Sequence, residues 1–348
     1  MITRIEEMVN MAEEKPKEGE PEAAGKPEPT LFVAPSPHLP SGSGATSTRW
    51  MMLDVLIGLA PVVLVALYVF QWYALMQLGI CVVSCLVAEK AFTAWRGRSA
   101  HLGDFSAAVT GVILGLSLPW SAPWYTGVVA GGVAIGLGKV VFGGLGQNIF
   151  NPAMVGRAFV LICFPVALGA GAYTDPQATL DVITRATPLT AAKQLGEGMG
   201  LWPLLAGTVN GSLGETSGLA CILGGLYLCV RRTASWEIPA SVIITVMVIG
   251  LIGDWLSPGA WTAVHHLLGG ALLFGAFFIA TDPVSSPLTI KGKWIFGVGV
   301  GMFIMLIRLF SGYPEGVMFA VLLMNAIVPL INRWTIPLPV GGPVPVKA

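Results

Sequence analysis

Apolar residues run along this chain in long blocks, separated by short stretches rich in polar residues, glycine and proline. The blocks cover approximately 51–70, 73–95, 105–119, 124–142, 153–171, 215–230, 237–255, 262–281, 294–310 and 316–332. Most approach the ~20 residues a helix needs to cross the hydrocarbon layer of a bilayer. The pattern therefore predicts an all-α polytopic membrane protein with about ten transmembrane helices. Residues 1–48 contain Glu, Lys, Pro and Gly but no apolar run, which predicts a disordered tail. Nothing resembling the apolar core of a signal peptide precedes Leu31. The chain divides into that tail, a first membrane section over 49–171, a loop over 172–213, a second membrane section over 214–334 and a tail over 335–348.

Composition agrees with the pattern. Hydrophobic residues make up 54% of the chain and charged residues 11%, with a mean hydropathy of +0.75. A soluble domain carries roughly a quarter charged residues. The formal net charge of +0 decides nothing, whereas the placement of the basic residues does. Arg49, Lys90, Arg96, Arg98, Lys139, Arg231, Arg232, Lys291, Lys293 and Arg333 all fall on one face if the N-terminus is inside. The positive-inside rule then puts both termini in the cytoplasm and the 172–213 loop outside. Only Arg185, Lys193 and Arg308 lie on the other side.

The 44 glycines and 25 prolines point to close helix approach and to interrupted helices. Two stretches recur. Gly111 to Pro119 echoes Gly270 to Pro283, and Asn151-Pro-Ala-Met154 echoes Pro314-Glu-Gly-Val-Met318. About five spans separate equivalent points, an odd number, so the halves are expected to be two inverted five-helix repeats with broken helices.

The most distinctive polar segment is Asp181-Val-Ile-Thr-Arg-Ala-Thr-Pro-Leu-Thr190, within the external loop. It resembles the Asp-x-x-Ser/Thr-Gly-Ala-Thr pattern favoured by enzymes that join FMN to protein through a phosphoester on the last Thr. Asp181, Thr184, Ala186 and Thr187 match, while Arg185 stands where the pattern prefers Gly. Arg185 beside such a cofactor would favour its anionic reduced ring. The plainer reading is that Thr187 caps a helix with Pro188 at its first position. Ser43-Gly-Ala-Thr46 matches the pattern's core better, but Pro40 replaces the Asp and the tail lies inside.

The run from Lys139 to Val155 contains several glycines together with Asn148 and Asn151, which are suited either to hydrogen-bonding a planar heterocycle such as an isoalloxazine ring or to capping the fifth helix. Asp282, at the corresponding place in the second half, has two readings: cap of a broken helix, or hydrogen-bond partner of a cofactor or ion. Asp54, Glu89, Arg157, Glu215, Asp254, His265, His266, Arg308 and Glu315 are further ionisable residues in or beside spans, where charge is expensive and usually faces a cavity or partner. Arg308 with Glu315 is one pairing these positions suggest. His265 and His266 point about 100° apart on a helix, which disfavours one shared metal. The five cysteines lie in apolar spans without Cys-x-x-Cys spacing, as small buried hydrophobes do, and a cluster shared with another subunit stays open.

Taken together, the chain resembles the D subunit of the Rnf complex and its relative, the B subunit of the sodium-pumping NADH:quinone reductase. The resemblance runs from Ser36-Pro-His38 to about Arg333. Its motifs are Ser117-Leu-Pro-Trp120, Phe142-Gly-Gly-Leu-Gly-Gln-Asn-Ile-Phe-Asn-Pro-Ala-Met154, Ala186-Thr-Pro-Leu189, Gly214-Glu-Thr-Ser217, Thr281-Asp-Pro-Val-Ser-Ser-Pro287 and Tyr313-Pro-Glu-Gly-Val-Met318. It implies a bacterial or archaeal inner-membrane subunit of an ion-translocating (Na+ or H+) electron-transport complex linked to ferredoxin and NAD, not catalytic alone. It also implies FMN on Thr187 and a second, non-covalent flavin such as riboflavin. Implied partners are a flavin-bearing external subunit, iron–sulfur membrane subunits and a peripheral NADH-binding subunit. The competing readings are a channel or secondary transporter without a redox cofactor, and a structural scaffold.

Overall fold

A computed structural model of the protein describes residues 47–97, 102–168, 200–207, 211–215, 217–256, 262–311 and 315–337. Almost all of these are helical. Among the described residues, four helices are long and apolar enough to cross a membrane, and three shorter apolar helices accompany them. Side chains such as Leu64, Ile162, Ile252 and Phe310 stand exposed on their outer faces, as expected where the surroundings are lipid rather than water. The chain is a helical membrane protein.

The first long helix, α1 (Thr48–Trp95), is broken at Gln71, whose φ of 49° and ψ of −124° are not helical. The break falls between the predicted spans 51–70 and 73–95. Trp120 covers it, with its ring 6.2 Å from that of Phe70 and 5.1 Å from that of Tyr73. The second arm of α1 packs on α2 (Ser106–Ser117) and α3 (Trp124–Ile135), and the helices approach through glycine. Gly111 lies against the Val82 backbone and Gly131 against Ser84. The first arm packs on α6 (Gly218–Val230), where Gly58 meets Gly224 and Leu228. Removing side chains at such crossings lets dispersion contacts between backbones hold helices that hydrophobicity alone cannot pair in lipid.

Several helices stop short of a full span. α2 ends at Ser117, and Leu118 is extended. The Leu116 and Leu118 carbonyls accept hydrogen bonds from the backbone N–H groups of Gly214 (2.6 Å) and Leu213 (3.2 Å). A helix end at membrane depth has no water to satisfy it, and here another loop of the protein does so. α3 runs on into a π-helical turn, Gly136–Val140, and α4 (Pro152–Cys163) follows a loop in which Gly143, Gly144 and Gly146 all have positive φ. The predicted 262–281 span is interrupted. α8 (Ala263–Leu268) stops, Gly270 takes φ 72°, and Leu272–Phe274 leads into a second π-helical segment, Gly275–Ile279. Other helices among the described residues are the short α5 (Leu201–Ala206), α7 (Glu237–Leu256), α9 (Ile290–Phe310) and α10 (Val317–Thr335).

Candidate functional site

Asn148, Asn151 and Asp282, which the sequence singles out from two distant motifs, line one cavity. Its volume is about 80 Å³, within a hollow whose unfilled space, open mouth included, is about 770 Å³. Lys139, Thr281 and Met52 also line it. Asn151 caps α4, its Oδ1 accepting from the Ala153 and Met154 N–H groups at 3.1 and 3.4 Å, with Pro152 at the first helical position. Its Nδ2 donates to the Ile279 carbonyl at 3.2 Å, so the cap also ties α4 to the π-helical segment of the second half. Capping and cavity lining therefore coincide in one residue. Asn325 on α10 completes the junction. In the amide orientation that satisfies both ends, it accepts from Asn151 N–H at 3.0 Å and donates to the Val321 and Ser285 carbonyls at 3.2 Å.

Asn148 donates through Nδ2 to the Phe150 carbonyl at 3.1 Å. Asp282 accepts from Ser285 Oγ at 2.8 Å and Val284 N–H at 3.3 Å, closing the turn that follows the helix. The π turn delivers Lys139 to the cavity wall, where Nζ donates to Glu89 Oε1 at 2.5 Å and Ser106 Oγ at 2.6 Å. The Lys139 and Glu89 side chains are 3% and 7% exposed, so this ion pair is desolvated and removing one partner strands the other. Lys139→Met is expected to cost about 3–5 kcal/mol, read as a lower melting temperature of the detergent-extracted protein. Combining it with Glu89→Gln should recover part of the loss, and a double variant no better than the single would refute the pairing.

A flavin ring needs donors and acceptors at its polar edge and apolar walls elsewhere. The amides, Thr281 and Lys139 supply the first, and Met51, Met52, Val109, Ile113 and Phe278 supply the second. The residues fit such a group. The inner volume alone is smaller than the ~300–1,000 Å³ common for small-molecule sites, so a flavin would occupy the mouth as well.

A second polar centre gathers around the interruption after α8. Arg308 donates to the carbonyls of His266 and Gly269, the latter at 2.8 Å, neutralising the C-terminal end of α8. Glu315 accepts from Ala271 N–H at 2.9 Å, at the start of the next segment, and pairs with Arg157 at 3.0 Å. The ion-pair partner of Glu315 is thus Arg157 on α4, while Arg308 is occupied chiefly with backbone. His265 serves a capping box, its Nδ1 accepting from Thr262 N–H at 3.1 Å. Asp54 on α1 joins α6 and the turn after it, within 3.4 Å of Tyr227 Oη, Arg231 and Thr233 Oγ1. All five cysteines carry free thiols.

Sequence reasoning misses Asn325, the role of Lys139 and the Arg157–Glu315 pair. Asn325 stands outside every motif named above, although an amide in the middle of an apolar helix is itself a signal, and no local pattern pairs Arg157 with Glu315 or Lys139 with Glu89. Asp181, Thr184, Arg185 and Thr187 lie outside the described residues.

Interrupted membrane helices whose freed backbone groups are met by buried side chains, flanking a polar-lined cavity, define the class: a polytopic protein with a site built from helix breaks. The chain belongs to the NQR2, RnfD, RnfE family, whose family model matches residues 32–341. It is 41% identical over 309 residues to the D subunit of the Na(+)-translocating ferredoxin:NAD(+) oxidoreductase complex of Acetobacterium woodii, covering 88% of this chain and 93% of that one. It is 41% identical over 320 residues to the D subunit of the ion-translocating oxidoreductase complex of Halorhodospira halophila, covering 82% and 90%. The D subunit of the proton-translocating ferredoxin:NAD(+) oxidoreductase complex of Clostridium ljungdahlii is 36% identical over 324 residues, covering 89% and 96%.

Proposed function

We propose that this protein is the membrane-embedded D subunit of an Rnf-type ion-translocating oxidoreductase complex, anchoring FMN on Thr187 for electron transfer and holding a second flavin non-covalently in the Asn148–Asn151–Asp282 cavity. The observation that carries the reading is the match along nearly the whole chain to relatives named as the D subunits of such complexes. The Asp181 to Thr187 pattern supports the attachment site. Bound flavin supplies one- and two-electron transfer, with a potential set by nearby hydrogen bonds and charge. The chain's own residues divide the remaining work. The Thr187 hydroxyl would carry the phosphate, Arg185 would set the local charge, and the Asn148 and Asn151 amides with Asp282 would orient the ring edge. Partners would be a flavin-bearing external subunit, iron–sulfur membrane subunits and an NADH-binding peripheral subunit.

The inner-membrane orientation, with cytoplasmic termini, is supported by the basic residues that accompany exposed Trp50, Trp95, Trp236 and Trp334 at one set of helix ends. The two inverted five-helix repeats are supported by the helix interruptions at Ser117 and Gly269, one in each half. The test is flavin fluorescence of the chain after denaturing electrophoresis, with released flavin counted separately. Fluorescence in the band together with flavin in the supernatant is expected. A dark band would favour a transporter without covalent cofactor. Arg185→Ala is expected to lower the potential of the attached FMN, because a cation nearby stabilises the reduced anion. A redox titration showing no shift or a rise discards that role.

A further inference from the structure

We propose that Glu215 and Glu315 form a proton-binding site, one proton shared between two carboxyl groups at the point where the interrupted helices of the two halves meet. Glu215 follows the Leu213–Gly214 segment that satisfies the end of α2, and Glu315 receives the N–H of Ala271 at the interruption after α8. The two carboxyl groups face each other in side-chain contact. Two carboxylates offer only acceptors to one another, so the contact is attractive only when a proton lies between them. Glu215 Oε1 is buried and has no hydrogen-bond donor among the described residues. Ser212, 1% exposed, places its hydroxyl beside the Glu215 carboxyl group.

The surrounding charges favour a proton over a metal cation. Arg157 lies on Glu315 and Arg308 lies near both carboxyls, while Cys221 of α6 contributes a neutral thiol that donates to the Gly214 carbonyl at 3.5 Å. Two guanidinium groups balance two carboxylates, which leaves no net negative charge to draw in Na+. A proton needs neither. Uptake converts one carboxylate to a carboxyl that donates to its neighbour, and release reverses this without other bonds breaking. Because Glu315 and Arg308 cap the two sides of the interruption, the charge of the pair bears directly on how the half-helix ends are held. A role in translocation rests on the function proposed above, whereas proton binding itself does not.

The test is infrared difference spectroscopy of the intact complex in its membrane across a pH series. The wild type is expected to show one deuterium-sensitive protonated-carboxyl band that titrates. Glu215→Gln should abolish it, and Ser212→Ala, a milder change, should shift its frequency. Added Na+ at fixed pH should leave it unchanged. A band that persists in Glu215→Gln, one unmoved by Ser212→Ala, its displacement by Na+ or its absence from the wild type would each overturn the assignment. Flavin fluorescence of the same samples reports separately on the function proposed above.

Discussion

Thr187→Ala should reduce flavin fluorescence of the denatured chain to background, while Thr46→Ala leaves it at the wild-type level. The last Thr is the acceptor in the attachment pattern, so on the reading proposed above the Thr187 hydroxyl would carry the phosphate, and alanine removes it without adding bulk. The effect is therefore all-or-none. Thr46 tests the alternative directly, because Ser43-Gly-Ala-Thr46 has the better core match and lacks only the acidic residue, replaced by Pro40. Its tail is expected on the cytoplasmic side, away from an attaching enzyme that works outside. Fluorescence lost in Thr46→Ala and kept in Thr187→Ala would reverse both the site and the predicted orientation. Fluorescence kept in both would rule out a covalent cofactor at either threonine, and family membership would still stand.

The lengths of the apolar blocks are enough to locate most helices, because a membrane-spanning segment needs one continuous run and lipid tolerates no polar interruption. Even the break at Gln71 is legible, since Gln71-Trp72-Tyr73 is an amphipathic seam between two such runs. Asn148, Asn151 and Asp282 are legible as polar residues beside glycine and proline, and the structure gathers them into one cavity. Their meeting depends on the interruption near Gly270, which frees the 272–279 segment to reach α4. The charge pairings are not legible. Arg157 and Glu315 are 158 residues apart, and either could have faced lipid headgroups, a cavity or another subunit. Periodicity identifies the face of a helix but not which charge on another helix it meets. The π turn that brings Lys139 to Glu89 is equally hidden, because it changes the angular position of every later residue without altering composition.

That dependence on tertiary contact yields the other large expected effect. Gly224→Ala should destabilise the protein by about 3 kcal/mol or more, at or beyond the upper end of ordinary overpacking. A Cβ at Gly224 would stand 1.9 Å from the Gly58 carbonyl oxygen and 2.9 Å from Phe278 Cζ. The first neighbour is backbone and cannot rotate away, so α1 and α6 would have to separate along their length. That separation is opposed by Asp54, which joins the same two elements through Tyr227, Arg231 and Thr233. The second neighbour, Phe278, lies in the π-helical segment and lines the cavity, so the strain should reach the proposed flavin site and increase the flavin released on washing. Gly79→Ala and Gly132→Ala are the matched controls. A Cβ at either meets nothing within 4 Å, and each exchange should be neutral or slightly stabilising through helix propensity. Thermal denaturation of detergent-extracted protein, followed by size-exclusion chromatography, separates the outcomes. A melting temperature for Gly224→Ala equal to that of the two controls would mean that the α1–α6 crossing is looser than its backbone contact implies, and the case for glycine as the determinant of this helix pairing would fail.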